Sequence, residues 1–190
     1  QDYIKHSPLH KKLSKRDALM FKQPGQLDLE IQFPFYSEPV LEDKFKVHGV
    51  LDFTSNDLLI KEVSQSVGLD DLSGRLEFDE RGVMDSKLAA RLFEEPMALW
   101  VRSYHGETPY LAIDMTGYLS ALGLRHTLKS PALYWMRGRT PITSTLKITD
   151  EGRDLDVLRV TSTLQGLAVD LPEPFGKKRA DTAPLTVDMR

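Results

Sequence analysis

A chain of 190 residues, 41% apolar and 28% charged, has the composition of a folded domain and is long enough to bury roughly 70% of its unfolded surface without staples. It has no cysteine, which excludes disulfides, thiolate zinc sites and cysteine nucleophiles. Its net charge of −3 gives no electrostatic case for nucleic acid, and no run of ~18 apolar residues predicts a membrane-spanning helix.

The chain opens on Gln1-Asp2-Tyr3 rather than methionine, so it reads as an excerpt of a larger protein. Residues 7–25 predict a helix. Ser7 suits an N-cap, Pro8 the first helical position, and Pro24-Gly25 a stop, with Leu9, Leu13 and Met20 on one face. The hydrophobic period then becomes two. Leu27, Leu29, Ile31 and Phe33 alternate with Asp28, Glu30 and Gln32, the pattern of a strand with one dry and one wet face. Pro34 to Pro39 marks a strand end or sheet edge.

The alternation returns at Val47-Gly49-Leu51-Phe53 and at Leu72-Gly74-Leu76-Phe78, then at 88–92, 97–101 and 111–115. It reappears at 146–148, 158–164, 167–171 and 185–189, about ten strands in all. The segments "TSND", "DERG", "YHGETP" and "TDEGRD" read as the turns between them, and "GLDDLSG" as another. So many short connections predict an antiparallel meander, since a parallel sheet needs helix-length crossovers. One stretch, 117–141, loses the alternation. Ser130-Pro131 and Gly138 predict one or two short helices there, a strand through "LYWMRG" being the competing reading. The chain is read as one domain over 1–190: a helix and lead-in to 25, a first strand set over 26–116, short helices over 117–139, and a second strand set over 140–190.

No catalytic pattern emerges. There is no G-x-S-x-G elbow, no G-x-G-x-x-G and no phosphate loop. His6 and His10 have metal-ligand spacing but lack the glutamate of H-E-x-x-H, so no metal or cofactor is expected. Asp70-Asp71 falls in a turn signal, and Lys177-Lys178-Arg179 reads as a solvated loop. Trp100, Tyr104, Tyr134 and Trp135 are not interleaved with arginine as a base-stacking platform would be. The residues give an enzyme reading no support.

What they do repeat is Gly49, Leu51 and Phe53, which recur 25 positions on as Gly74, Leu76 and Phe78. Glycine inside a strand marks a bulge, a bend or a close approach. Repeated at matching positions, and with Gly117 and Gly166 as further instances, it would let long strands curl together, dry side inward. Such a dry face must be covered by another layer or by an apolar ligand.

The segment from Val47 to Val101, "VHGVLDFTSNDLL…LAARLFEEPMALWV", resembles a recurrent module of the AsmA-like superfamily, closest to its YhdP-type periplasmic phospholipid-transport proteins. The stretch 158–178, "LRVTSTLQGLAVDLPEPFGKK", is similar to that family's S-x-L-x-G-L-x-x-x-L-P-x-P-x-x-K segment, and residues 6–34 fit its helix-then-strand unit. The resemblance implies a non-enzymatic, periplasmic piece of an inner-membrane-anchored protein. It implies an elongated or curled open β-groove that carries phospholipid between inner and outer membranes and adjoins further segments of the same full-length chain. It maps no lipid-contacting position. From the alternation, Leu27, Leu29, Ile31, Phe33, Val47, Leu51, Phe53, Leu76 and Phe78 are the candidate groove residues, with Gly49 and Gly74 as structural glycines. The rival expectation is a structural or interaction β-sandwich of the cell envelope, closed by its own side chains and without lipid.

Overall fold

The computed structural model describes residues 19–32, 46–60, 67–149 and 157–189. These form strands β1 (Leu19–Phe21), β2 (Gln26–Gln32), β3 (Lys46–Ile60), β4 (Val67–Asp79), β5 (Ser86–Leu92), β6 (Glu95–Tyr104) and β7 (Tyr110–Ser120). Helix α1 (Ala121–Leu128) and a 3-10 turn (Pro131–Trp135) follow, then β8 (Met136–Thr149), β9 (Val157–Ser162), β10 (Leu167–Val169) and β11 (Leu185–Met189). All eleven described strands join one sheet in the order β1-β3-β4-β5-β6-β7-β8-β9-β11, and every pairing is antiparallel. From β3 to β9 neighbours in sequence are neighbours in space. The meander is therefore as the turn spacing predicts, and the described strands make one open sheet, not the two facing sheets of a sandwich.

Both flanks of the sheet are split. The outer side of β3 takes β1 along Leu58–Ile60 and β2 along Lys46–Asp52. Likewise β8 takes β10 at Met136–Gly138 and β9 at Ile142–Lys147.

Side chains alternate across a strand, so the register sorts the sheet into two faces. One row runs Phe53, Gly74, Leu88, Leu99, Met115, Ser144, Val160, Val187 through eight strands. Beside it run Ala90, Met97, Gly117, Ile142, Ser162 and Leu185. Both rows are mainly apolar. The reverse face carries Lys87, Trp100, Asp114, Thr145, Arg159 and Asp188 in one row. There Thr145 Oγ1 donates to Asp114 at 2.7 Å, Arg159 pairs with Asp188 at 2.7 Å, and Lys87 Nζ sits 5.5 Å from the Trp100 ring. One face is dry and the other is wet because the sequence alternates in step with the pleat. The dry face is most enclosed at mid-sheet, where Leu72, Leu88, Met97 and Leu99 are all buried.

Several expectations change. Of the helix expected over 7–25, residues 7–18 lie outside the described ones, but Leu19–Phe21 is strand β1, not helix. Helix propensity is a weak prior, and the free ladder of Leu58–Ile60 overrides it. "TSND" is not a turn: it lies within β3, whose register shifts on either side of Asn56. "GLDD" lies within β4 and is likewise a bulge, with a register shift between Asp70 and Ser73. Ser55 and Asp71 take positive φ at these two points, 54° and 58°. Serine, asparagine and aspartate signal turns because they tolerate local kinks, and a bulge needs the same tolerance. "DERG" and "YHGETP" are connections as expected, while "TDEGRD" lies almost wholly outside the described residues. The irregular stretch narrows to 121–135, with β8 starting at Met136.

Helix α1 starts at Ser120, whose hydroxyl accepts from the Gly123 N–H at 3.1 Å, and ends at Lys129 in the left-handed region. It buries Ala121, Gly123 and Leu124. Gly123 seats against the two-residue β5–β6 turn, where an added Cβ would fall 1.8 Å from the Phe93 carbonyl oxygen.

Candidate functional site

The candidate groove residues come together on the dry face of β2, β3 and β4. Leu27 pairs with Leu51 and Leu51 with Leu76, giving one row. Leu29 pairs with Gly49 and Gly49 with Phe78, giving the next. Ile31 faces Val47, and Phe53 faces Gly74. Phe33 lies outside the described residues.

The register explains the repeat. Two copies offset by 25 residues pair antiparallel about the Leu51–Leu76 rung, so each copy's glycine faces the other copy's phenylalanine. At Gly49 the glycine is required by close approach: a Cβ there would stand 2.1 Å from Phe78 Cζ. At Gly74 backbone geometry requires it, since φ is +125° and a Cβ would press on Lys87 O and Leu88 at 3.0 Å.

Exposure falls steeply across these three strands. On β2, Leu27, Leu29 and Ile31 are 53%, 49% and 41% exposed. Val47, Leu51, Leu76 and Phe78 are half-buried, and Phe53 is buried at 6%. The β2 flank is therefore a bare apolar strip that leads into a closed core. The opposite flank behaves the same way: Leu185 and Val187 of β11 continue the mid-sheet rows and are exposed. Their alternation was legible, but only the register shows that they share the face of Leu27 and Leu51.

The turn-like stretches concealed a polar junction. Asn56 is 1% exposed, and its side chain acts as a surrogate strand for Gln23 in the gap between β1 and β2. Its Nδ2 donates to the Gln23 carbonyl at 2.8 Å, and its Oδ1 accepts the Gln23 N–H at 3.2 Å. The neighbouring Asp57 N–H donates to Gln23 Oε1 at 2.7 Å. The Asp57 carboxylate accepts from the Gln23 amide, the Asp71 N–H and Lys22 Nζ, and these bonds, that of Gln23 first, hold its pKa below the usual carboxylate value. The signal was an asparagine inside an apolar alternation, which also reads as a turn.

Elsewhere charges are paired on the wet face. Arg75 meets Asp52 at 3.0 Å and Arg102 meets Asp114 at 2.9 Å, and each carboxylate raises its arginine's pKa through the hydrogen bond. Among the described residues no three His, Cys, Asp or Glu side chains cluster as a metal site would require. No helix among them is long and apolar enough to cross a membrane.

The family described as "YhdP protein" matches residues 1–190, the whole chain. The chain belongs to the YhdP family. No curated protein and no solved structure matches it. The segments that carry the YhdP resemblance now have structural positions. Residues 47–101 run through β3, β4, β5 and almost all of β6, and 158–178 runs from β9 through β10 to the bridge between Val169 and Lys177.

Proposed function

We propose that this chain is a non-enzymatic segment of a YhdP-type envelope protein, and that its dry sheet face carries phospholipid between inner and outer membranes. One observation carries the reading: an apolar face that is continuous by register and left bare along Leu27, Leu29 and Ile31. In water such a strip is unfavourable by ~25 cal/mol per Å² of apolar surface, and an acyl chain laid on it gains ~0.8 kcal/mol per buried methylene. Because the strip offers no polar anchor, the gain is the same at each step along it, so a chain is held without being trapped. Headgroups stay in water. In this reading the lipid path follows the flank and does not cross the whole face, which the enclosed mid-sheet supports. In this reading the chain lies in the periplasm, adjoins further segments of an inner-membrane-anchored protein, and needs no cofactor.

The test is lipid capture. With a photo-crosslinking residue at Leu27 or Leu51, phospholipid should be captured in cells and should co-purify in native mass spectrometry. The same group at Asp28, on the other face of β2, should capture none. Protein mass alone at every position would defeat the proposal. It would favour a structural module, the reading to which the closed core around Leu72 and Leu99 lends weight.

A further inference from the structure

At Gly49 the β2–β4 strip lacks a side chain, and the Phe78 ring fills the space above it. Phe78 Cζ is 2.1 Å, and both Cε atoms 2.6 Å, from where a Cβ on Gly49 would stand. The ring therefore aims its para edge at the glycine. Gly49 and Phe78 are direct cross-strand partners on strands ~4.8 Å apart, so the ring spans the step from β4 to β3 and lies along the sheet. On its other side Phe78 bridges to Val83, a half-buried core neighbour. Beyond Gly49 the same row continues to the exposed Leu29.

A side chain at position 49 would evict the ring. Val83, the backbone bridge partner of Phe78, packs on the core, and the row leads the other way to the exposed Leu29, so the open side for a displaced ring is outward from the sheet. We infer that Gly49 and Phe78 set the depth of the lipid-bearing strip: with the ring laid over the glycine an acyl chain rests on β2–β4, and with the ring raised it does not. This rests on the proposed lipid-holding function. It also gives the repeat a use at its first copy, while at Gly74 the positive φ, and the Leu88 and Lys87 atoms an added Cβ would meet, make glycine a requirement of the fold.

The experiment incubates the chain with vesicles of phosphatidylethanolamine and phosphatidylglycerol and counts retained phospholipid by native mass spectrometry. Gly49→Ala should retain about tenfold less than wild type, the penalty of overpacking a filled site. Gly49→Ala/Phe78→Ala, which has the same added methyl but no ring, should recover retention. If Gly49→Ala does not fold by circular dichroism, Phe78→Trp, which puts a larger ring over an unsubstituted Gly49, should show the loss instead. A folded Gly49→Ala variant that retains as much lipid as wild type overturns the role of Gly49, as does a double variant that recovers nothing. A wild-type chain that retains no phospholipid overturns the lipid reading itself and this inference with it.

Discussion

Two side chains show how single residues hold this sheet. Asn56 is buried only because both ends of its amide are matched to the Gln23 backbone, where an edge strand would otherwise continue. Asn56→Ala leaves that backbone unpaired, and an unmade bond of this kind costs about 1–3 kcal/mol. The urea midpoint should fall accordingly, and amides of β1 and β2 should exchange faster while those of β6 and β7 do not. Uniformly faster exchange would mean that Asn56 serves the core and not the edge. Asp79 closes the β4–β5 turn by accepting from the Arg81 guanidinium at 2.7 and 3.0 Å and from the Arg81 and Gly82 N–H groups. The Arg81 bonds, foremost, hold its pKa below the usual value. Its folded pKa lies below its unfolded one, so its contribution is present above about pH 4 and is lost as pH falls through the folded value. Wild type should therefore exceed Asp79→Asn in urea midpoint at pH 7, and the gap should close on acidification toward pH 2. A gap that persists in acid would refute the assignment.

The β5–β6 hairpin and α1 stabilise each other as elements. Phe93 and Glu94 form a two-residue turn with φ of 49° and 68°, values that favour Asn-Gly. Nothing in "FE" announces such a turn. It persists because its surroundings fix it: the Glu94 carbonyl accepts from Arg91, the Glu94 carboxylate meets His126 at 3.0 Å, and Gly123 packs on Phe93. Gly123→Ala should push α1 off the turn at a cost of about 1–3 kcal/mol, read as lost exchange protection at 121–128 with β3 and β4 unchanged. Unaltered protection there would show that α1 docks by another route. This hairpin also marks the limit of what the sequence discloses. Most strand identities, though not β1, and the antiparallel meander were legible because period-two alternation is a local signal. The bulges at Ser55 and Asp71 were hidden, since a kink inside a strand and a turn between strands draw on the same residues. The pairing of Gly49 with Phe78 needed the register. So did the exposure gradient from β2 inward, because alternation tells which face a residue is on and not what lies over it.

At the scale of the whole molecule the sheet is open, and its two flanks are alike. The outermost strands, β2 and β11, carry bare apolar residues on the dry face, and each pairs with only one neighbour among the described strands. A strand in that position presents unpaired N–H and C=O groups, a template for any chain of matching alternation. The wet side of β2 carries Asp28 and Glu30, which discourages pairing of two β2 strands, and β11 carries Asp188 already engaged by Arg159. Pairing of β2 with β11 therefore avoids stacking Asp28 and Glu30 on their own copies, and it continues the dry face from one unit to the next. Two copies of the chain should associate in this head-to-tail sense. Such a contact does not close on itself, so mass should keep rising with concentration instead of stopping at a dimer. Multi-angle light scattering over a concentration series should show this. Ile31→Lys on β2 should abolish it by placing a charge in the continued dry face, and Val187→Lys on β11 should do the same. Mixing the two variants should restore a dimer and nothing larger, because the intact β11 of Ile31→Lys can meet the intact β2 of Val187→Lys while every further contact would bury a lysine. A wild-type chain that stays monomeric at high concentration would show that the flanks are protected, and would count against a sheet built to be continued.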